Sequence, residues 1–267
     1  LMSSRVTAIK AQHMAYNGNL VSIITPAYKA ASIIGDTIAS VQAQGHMDWE
    51  MLITEDCGPD NTRDVVRQYA AADSRIRLIE PDKNGGPATA RNHSLAAAEG
   101  RWLAFLDSDD LWLPEKLERQ LAFHHNHPEA VISFTGFRRI SADGSSVGSY
   151  IPVPPLMSYR KLLGNTAIAT STVIVDRQLS GPFTMKQTYY DDFACWLQLL
   201  KADGVAVGLD EDLMRYRVME ASVSRDKGNS ARKVWQAYRE VEGLDPVRSA
   251  WYFTHYAARA WLKYRDF

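Results

Sequence analysis

The chain has 267 residues, with 30 Lys and Arg against 31 Asp and Glu, a formal net charge of −1 with neutral histidines, 46% hydrophobic residues and 2 cysteines. An apolar fraction of that size, including 7 Trp, 12 Tyr and 8 Phe, can bury a sizeable core and excludes a disordered or fibrous chain. The near-zero charge gives no whole-molecule field for nucleic acid, and Cys57 and Cys195 make neither a disulfide framework nor a four-ligand zinc site.

No apolar run reaches the roughly 18 residues that cross a bilayer as a helix. Residues 1–20 lack the basic, apolar and small-residue order of a secretory signal. A soluble, cytoplasmic α/β protein is the expectation.

The first predicted strand is Val21–Thr25, closed by Pro26, and Ile34, Ile38 and Val41 at helical spacing predict a helix after it. A second cycle runs from Met51–Thr54 through Cys57-Gly58-Pro59-Asp60 into a helix after Asn61, with Val65, Val66 and Tyr69 on one face. The third places Ile76–Ile79 before Asn84-Gly85-Gly86-Pro87 and an alanine-rich helix, Ala88–Ala98. A fourth strand, Trp102–Leu106, runs directly into Asp107-Ser108-Asp109-Asp110. Strands alternating with helices in this way predict a mostly parallel sheet with helices on both faces and ligands at the carboxyl ends of the strands.

Further on, a helix is predicted from Pro114 to about His127, then a strand Val131–Phe134 and a hairpin turn at Ser141–Gly144. Pro152, Pro154 and Pro155 mark Tyr150 to about Asn165 as a flexible, lid-like stretch. A strand Thr172–Val175, a helix containing Asp191–Leu197 and a final strand pair ending at Tyr216 complete this part. Residues 225–267 carry nine Lys and Arg against five Asp and Glu, a net +4, which leaves −5 on the remainder.

The acidic run 107–110 is the feature richest in chemistry. Carboxylates crowded at a strand end repel one another unless a cation or protons neutralise them, and a few hard oxygens suit Mg²⁺ or Mn²⁺ shared with a ligand's phosphates. The alternative is a solvated turn in which one aspartate caps the next helix.

Five segments stand in order: Val-Ser-Ile-Ile-Thr-Pro-Ala-Tyr at 21–28, Thr-Glu-Asp-Cys-Gly-Pro-Asp-Asn-Thr at 54–62, Gly-Gly-Pro-Ala-Thr-Ala-Arg-Asn at 85–92, Leu-Asp-Ser-Asp-Asp at 106–110 and Tyr-Asp-Asp-Phe-Ala-Cys-Trp-Leu at 190–197. Together they resemble the inverting, nucleotide-sugar-dependent glycosyltransferases of family 2, which have the GT-A fold, over about residues 20–224. The resemblance implies a GT-A domain at 20–224, with a nucleotide-binding half at about 20–112 and an acceptor half at about 113–224. A lead segment, 1–19, would precede it, and a basic, aromatic, helical extension, 225–267, would follow. Pro26 and Tyr28 match the loop that packs on the uracil ring, and Asp56 the acid that accepts from a uracil N–H. Arg91 matches an arginine near base and diphosphate. Asp107 and Asp109 match the Asp-x-Asp motif, the first facing the ribose and the second holding Mn²⁺ or Mg²⁺. Gly86 and Ser108 join the nucleotide-sugar site with their motifs. Asp192 matches the general base, with Asp191 beside it; the bland alternative for this pair is helix capping and dipole compensation, worth about 0.3–1 kcal/mol.

The chain departs from the family at Glu55 and Cys57, where Asp and Gly are usual, and at Met219, where many members place a histidine near the metal or diphosphate. A thioether is a poor ligand for a hard cation, so Ser224, Arg225 and Lys227 are the expected diphosphate holders. The family further implies a UDP-sugar donor, a saccharide acceptor that is often lipid-linked, and work in bacterial surface-polysaccharide assembly. For the tail, whose Trp251, Tyr252, Phe253, Tyr256, Trp261 and Tyr264 lie among basic residues, two occupants stay open. One is peripheral contact with the cytoplasmic face of an anionic membrane; the other is packing on the core or on a second copy in a homodimer.

Other patterns carry less. Gly144-Ser145-Ser146-Val147-Gly148 satisfies G-x-S-x-G, but no helix follows to make a nucleophile elbow. His124, His125 and His127 lack an i, i+4 pair and an acidic partner, and are expected to be solvated. Asn92-His93-Ser94 is a formal glycosylation sequon inside a predicted helix. A nucleotidyltransferase needs a glycine-rich, basic loop after the first strand, which Pro26-Ala27-Tyr28-Lys29-Ala30 is not; a non-catalytic scaffold is the remaining alternative.

Overall fold

Strand β1 (Asn17–Ala27) lies between two parallel neighbours, β2 (Trp49–Glu55) and β4 (Gly100–Phe105), and β3 (Ile76–Ile79) extends the sheet beyond β2. The computed structural model describes residues 17–188, 190–201, 203–219 and 227–264. Helices α1 (Ile34–Gln42), α2 (Thr62–Ala72) and α3 (Pro87–Ala97) are the crossovers between the four strands. Since the order is β3-β2-β1-β4, the chain reverses its direction of travel across the sheet at β1. A crevice opens at such a switch point, outside the carboxyl ends of the strands. Pro26, Asp56 and Asp107 all stand at those ends.

The alternating period of a strand sorts its side chains between two cores. Ile24, Leu52, Leu103 and Phe105 enter one cluster with Leu95 of α3. Ile23, Met51, Ile53, Trp102 and Ala104 enter the other, with Ile34, Ile38 and Val41 of α1 and Val66 of α2. Every residue of β2 is buried, as a strand covered on both faces requires. Each fully buried Leu, Ile or Phe contributes about 1.5–3 kcal/mol.

Beyond β4 the sheet becomes mixed. Its remaining strands are β5 (Leu111–Trp112), β6 (Ala130–Ile140), β7 (Val147–Ile151), β8 (Leu156–Ser158), β9 (Ile174–Asp176) and β10 (Val205–Arg217). β9 lies antiparallel between β4 and β6, and β10 runs parallel to β6 and antiparallel to β5 and β8. Helix α4 (Lys116–His125) packs on the face shared with α1 and α2. Helix α5 (Tyr159–Leu163), the 3₁₀ turn Thr170–Thr172, α6 (Arg177–Ser180) and α7 (Asp191–Leu200) follow in the same half.

Three expectations are corrected here. The stretch from Tyr150 to Asn165 is not a free lid: β8 pairs with β10, Val153, Met157, Leu162 and Leu163 are buried, and Gly208 donates its N–H to Pro155 O at 3.0 Å. The final strand pair is one 13-residue strand, β10, whose register shifts around Asp212. His124 is buried rather than solvated, its ring nitrogens within 2.9 Å of Ser133 Oγ and 2.7 Å of Ala130 O, with Trp102 packed edge-on to the ring. By contrast Ser141–Gly144 does form the turn between β6 and β7, and Gly148 lies in β7, where no nucleophile elbow is made.

The C-terminal extension contributes to the core. Helix α8 (Lys227–Gln236), a π-helical turn (Ala237–Val241) and α9 (Pro246–Tyr264) follow one another, and Val234, Ala237 and Tyr238 are fully buried. Tyr238 also donates its hydroxyl to Leu163 O. Tyr252, Phe253 and Tyr256 pack against the same cluster, whereas Val247 and Trp251 point outward, the latter 62% exposed. Among the described residues no helix is long and apolar enough to cross a membrane.

Candidate active site

The end of β2 builds the first corner of the crevice. Asp56 is buried, and its two carboxylate oxygens accept the backbone N–H groups of Gly85 and Gly86, each at 2.8 Å. Asn84 Nδ2 adds a bond to Asp56 O at 2.7 Å. Gly86 has φ +79°, a conformation glycine adopts without a Cβ penalty, and Pro87 opens α3 directly after it. Glu55, also buried, accepts from Gly58 N–H and pairs with Arg63 at 2.8 Å. Its carboxylate therefore braces the 55–58 turn. At the end of β1, Pro26 is half-buried and Tyr28 is 47% exposed, with Lys29 Nζ lying 5.4 Å from its ring centre.

The acidic run after β4 is a tied turn. Ser108 O accepts Thr37 Oγ1–H from α1 at 2.9 Å. Arg217, at the end of β10, donates from Nε to Asp109 O at 2.9 Å and from its terminal nitrogens to Ala142 O and Asp36 Oδ2. Asp110 is buried, accepting Ser171 Oγ–H at 2.5 Å and Arg217 N–H at 3.0 Å. Burial, then the neighbouring charges of Asp109 and Asp107, hold its carboxyl well above the usual range. Asp109 is pushed up to about 6, by burial first and then by Asp107.

Arg91 joins this turn to the second acidic locus. Carried on α3 and buried, it lies 2.5 Å from Asp107 and 3.5 Å from Asp191, which opens α7. Burial opposes its charge, yet Asp107, Asp191 and Asp192 together raise its proton affinity. Next to Asp191, Asp192 accepts from Thr170 Oγ1 at 2.6 Å and from Phe193 N–H at 2.7 Å. Its pKa is raised, by burial first and then by the charge of Asp191.

Asp109 is the carboxylate that would hold a divalent cation, and Asp107 beside it is paired to Arg91. Among the described residues no three His, Cys, Asp or Glu side chains converge on an all-protein cage. Hard carboxylate oxygens in small number, one of them with elevated proton affinity, fit Mg²⁺ or Mn²⁺ completed by a ligand's phosphates.

The structure thus brings Asp107, Arg91, Asp191 and Asp192 together and ties Asp56, after β2, to Gly86, on the loop before α3. Ser224 and Arg225 lie outside the described residues, and Lys227 is the first residue of α8. Thr170, Ser171 and Arg217 also meet these acids, and no motif in the sequence points to them. A run of three hydroxyl residues ahead of a short apolar strand is the signal by which the first two could be found.

The parallel β1–β4 sheet with acids at its switch point is the arrangement of an α/β fold of GT-A type. Residues 22–177 match the model of the family described as Glycosyl transferase family 2, and the chain belongs to that family and is a glycosyltransferase. It is 42% identical over 90% of its length to the putative teichuronic acid biosynthesis glycosyltransferase TuaG of Bacillus subtilis, covering 96% of that protein. It is 36% identical over 89% of its length to WfgD of Escherichia coli, named a UDP-Glc:alpha-D-GlcNAc-diphosphoundecaprenol beta-1,3-glucosyltransferase, covering 92% of it. Among solved structures it superimposes on S. aureus TarS 1–349 in complex with UDP-GlcNAc with a TM-score of 0.67, at 18% identity, over 90% of this chain and 72% of that one. The mannosyltransferase PcManGT of Pyrobaculum calidifontis, in complex with GDP-Man and Mn²⁺, also gives 0.67, at 15% identity, over 98% and 82%.

Proposed function

We propose that the chain transfers a sugar, with inversion, from a UDP-sugar to a lipid-linked saccharide acceptor in bacterial cell-surface polysaccharide assembly, and that it requires Mg²⁺ or Mn²⁺. The observation that carries the proposal is the pair of acidic loci, 107–110 and 191–192, joined by Arg91, whose two terminal nitrogens meet Asp107 and Asp191. The names of TuaG and WfgD support the class of product and acceptor. The functional units are the donor half, about 20–112, the acceptor half, about 113–224, and the extension from 225.

In a single in-line displacement the acceptor hydroxyl oxygen bonds to the anomeric carbon as the bond from that carbon to the diphosphate oxygen breaks. The hydroxyl proton passes to a carboxylate on the acceptor side. Asp192 has the attributes of that base: a fixed orientation and a proton affinity raised by burial and by the charge of Asp191. Asp191 is turned to Arg91 instead. Tyr28 and Pro26 offer an apolar surface for a base ring, and Asp56 with Gly85 and Gly86 shapes the loop beside it. Asp109 would hold the cation, which when bound supplies Lewis-acid stabilisation of charge on the departing diphosphate, and Asp107 is the acid that faces the ribose.

The test is release of UDP from UDP-glucose with a GlcNAc-diphosphoundecaprenol acceptor, followed by a screen of other UDP-sugars. Metal-dependent turnover that Asp192→Asn abolishes while UDP still binds is the expected result. Failure of UDP and every UDP-sugar to bind, with or without Mn²⁺, overturns the proposal; UDP binding without turnover for any donor makes the chain a scaffold.

A further inference from the structure

Two adjacent hydroxyls in the 3₁₀ turn Thr170–Thr172 reach different acids. Thr170 Oγ1 donates to Asp192 Oδ2 at 2.6 Å. Ser171 Oγ donates to Asp110 Oδ2 at 2.5 Å and accepts the Asp107 N–H at 3.0 Å. Both residues are buried.

The turn is held from several directions. Trp112 Nε1 donates to Ser171 O at 2.8 Å, Gln120 Nε2 to Thr172 O at 2.9 Å, and Thr172 Oγ1 to Ala169 O at 2.6 Å. Strand β9 follows and is paired on both sides. Consecutive Cα atoms are only about 3.8 Å apart, so one short rigid turn contacts both acidic loci. A hydroxyl pair in this position transmits the rigidity of the sheet to two carboxylates that stand 82 positions apart in the chain, Asp110 and Asp192.

We infer that Thr170 and Ser171 are positioning residues: Thr170 orients the Asp192 carboxylate, Ser171 orients the 107–110 turn, and their adjacency sets the spacing of the two loci. The inference deepens the proposed function and rests on it for the role of Asp192. Misplacement of a reacting group by about 1 Å can cost on the order of 100-fold in rate, so a strut between base and donor site has a measurable effect. The charged and titratable groups facing Asp192 are Asp191 on its own helix, Cys195 one turn along, and Arg91 from α3. Against them, the Thr170 hydroxyl is a donor that favours the ionised carboxylate.

The experiment uses the full chain with Thr170→Val, Thr170→Ser, Ser171→Ala and Asp192→Asn. The first readout needs no donor sugar: carboxyl-¹³C aspartate titration, with the Asp192 resonance assigned by its loss in Asp192→Asn. Thr170→Val should move the Asp192 titration to higher pH, and Thr170→Ser should restore it. The second readout is UDP-releasing turnover, where Thr170→Val should lower kcat by roughly 10- to 100-fold with donor KM changed less than about twofold. Ser171→Ala should instead weaken binding of UDP in the presence of Mn²⁺. An unmoved Asp192 titration in Thr170→Val overturns the inference, as does equal loss in the Val and Ser variants with only a lower Tm. If Asp192→Asn keeps wild-type turnover, the assignment of the base fails; if it is inactive while Thr170→Val is unchanged in both readouts, the positioning role alone fails.

Discussion

The two acidic loci share one arginine and are built differently. The 107–110 turn ends a buried strand and is met by two guanidinium groups, Arg91 on the Asp107 side chain and Arg217 on the Asp109 carbonyl, while Asp110 is sunk beneath it. Residues 191–192 open a helix and face Arg91 at the longer distance of 3.5 Å, with one hydroxyl donor on Asp192. The first arrangement fixes a backbone, through Arg217 and Ser171, and crowds three acids so that Asp109 and Asp110 both hold their protons more tightly than usual. The second fixes a single carboxylate, Asp192, through one hydroxyl and one backbone N–H, and its proton affinity is raised too. The loci differ in what is held in place, a turn in one and a side chain in the other.

The comparison breaks most decisively at Asp192. Asp192→Asn should lower kcat by about 1,000-fold, roughly 4 kcal/mol in barrier, while calorimetric titration gives a UDP affinity within about twofold of wild type. If turnover survives, the two loci do not divide the labour. Next in size is the arginine they share. Arg91→Met leaves Asp107 and Asp191 without their buried counter-ion and should destabilise the fold by about 3 kcal/mol, measured by urea unfolding. Arg91→Lys should recover only part of this, because an ammonium lacks the guanidinium fork that spans both acids.

A smaller effect should separate the donor side. Asp109→Asn should weaken UDP binding in Mn²⁺ by about tenfold, or ~1.4 kcal/mol, and should make the remaining binding insensitive to Mn²⁺ concentration. The smallest effect concerns stability and pH. The pKa of Asp192 is raised in the folded chain, so the fold binds its proton more tightly than the unfolded chain does. Its contribution is therefore most favourable below the unfolded value of about 3.9 and is lost as pH rises through the folded value. Asp192→Asn should raise Tm at pH 7–8 by roughly 2–4 °C, as about 1 kcal/mol does in a large domain, and should give no gain near pH 3. The acid limb of wild-type kcat should lie above the usual aspartate range, for the same reason.

The β1–β4 region was largely legible because its information is local. Ile76–Ile79 is a strand at the residues its apolar run marked, and Gly86-Pro87 opens a helix as turn chemistry requires. The second half hid more. Asp210-Glu211-Asp212 reads as a turn, yet it lies within β10, because Tyr150 donates to Asp210, Arg119 pairs with Glu211 and Arg138 pairs with Asp212. Those partners are 60 or more residues away, so no local pattern reveals them. Lys116, Gln120 and His124 form a buried polar row on α4 for a similar reason. Lys116 donates to Gln120 and lies over the Trp112 ring, and Gln120 and His124 both meet Ser133. The acids at 107–110 and 191–192 were visible as composition. Arg91 was marked by its motif, but Thr170, Ser171 and Arg217, which also arrange the acids, were not, since Ser, Thr and Arg acquire such roles only through tertiary contact.

The grip of Asp56 on Gly85 and Gly86 bears on the thermodynamics of recognition. A glycine pair at the mouth of a crevice is the part of a chain with the most conformational freedom to lose. Here two N–H bonds to one buried carboxylate impose the loop shape from within the protein. The entropy of ordering that loop is therefore settled during folding, and a ligand arriving at this corner meets a preorganised wall. Cutting the grip, as in Asp56→Ala, shifts that ordering cost onto the binding step.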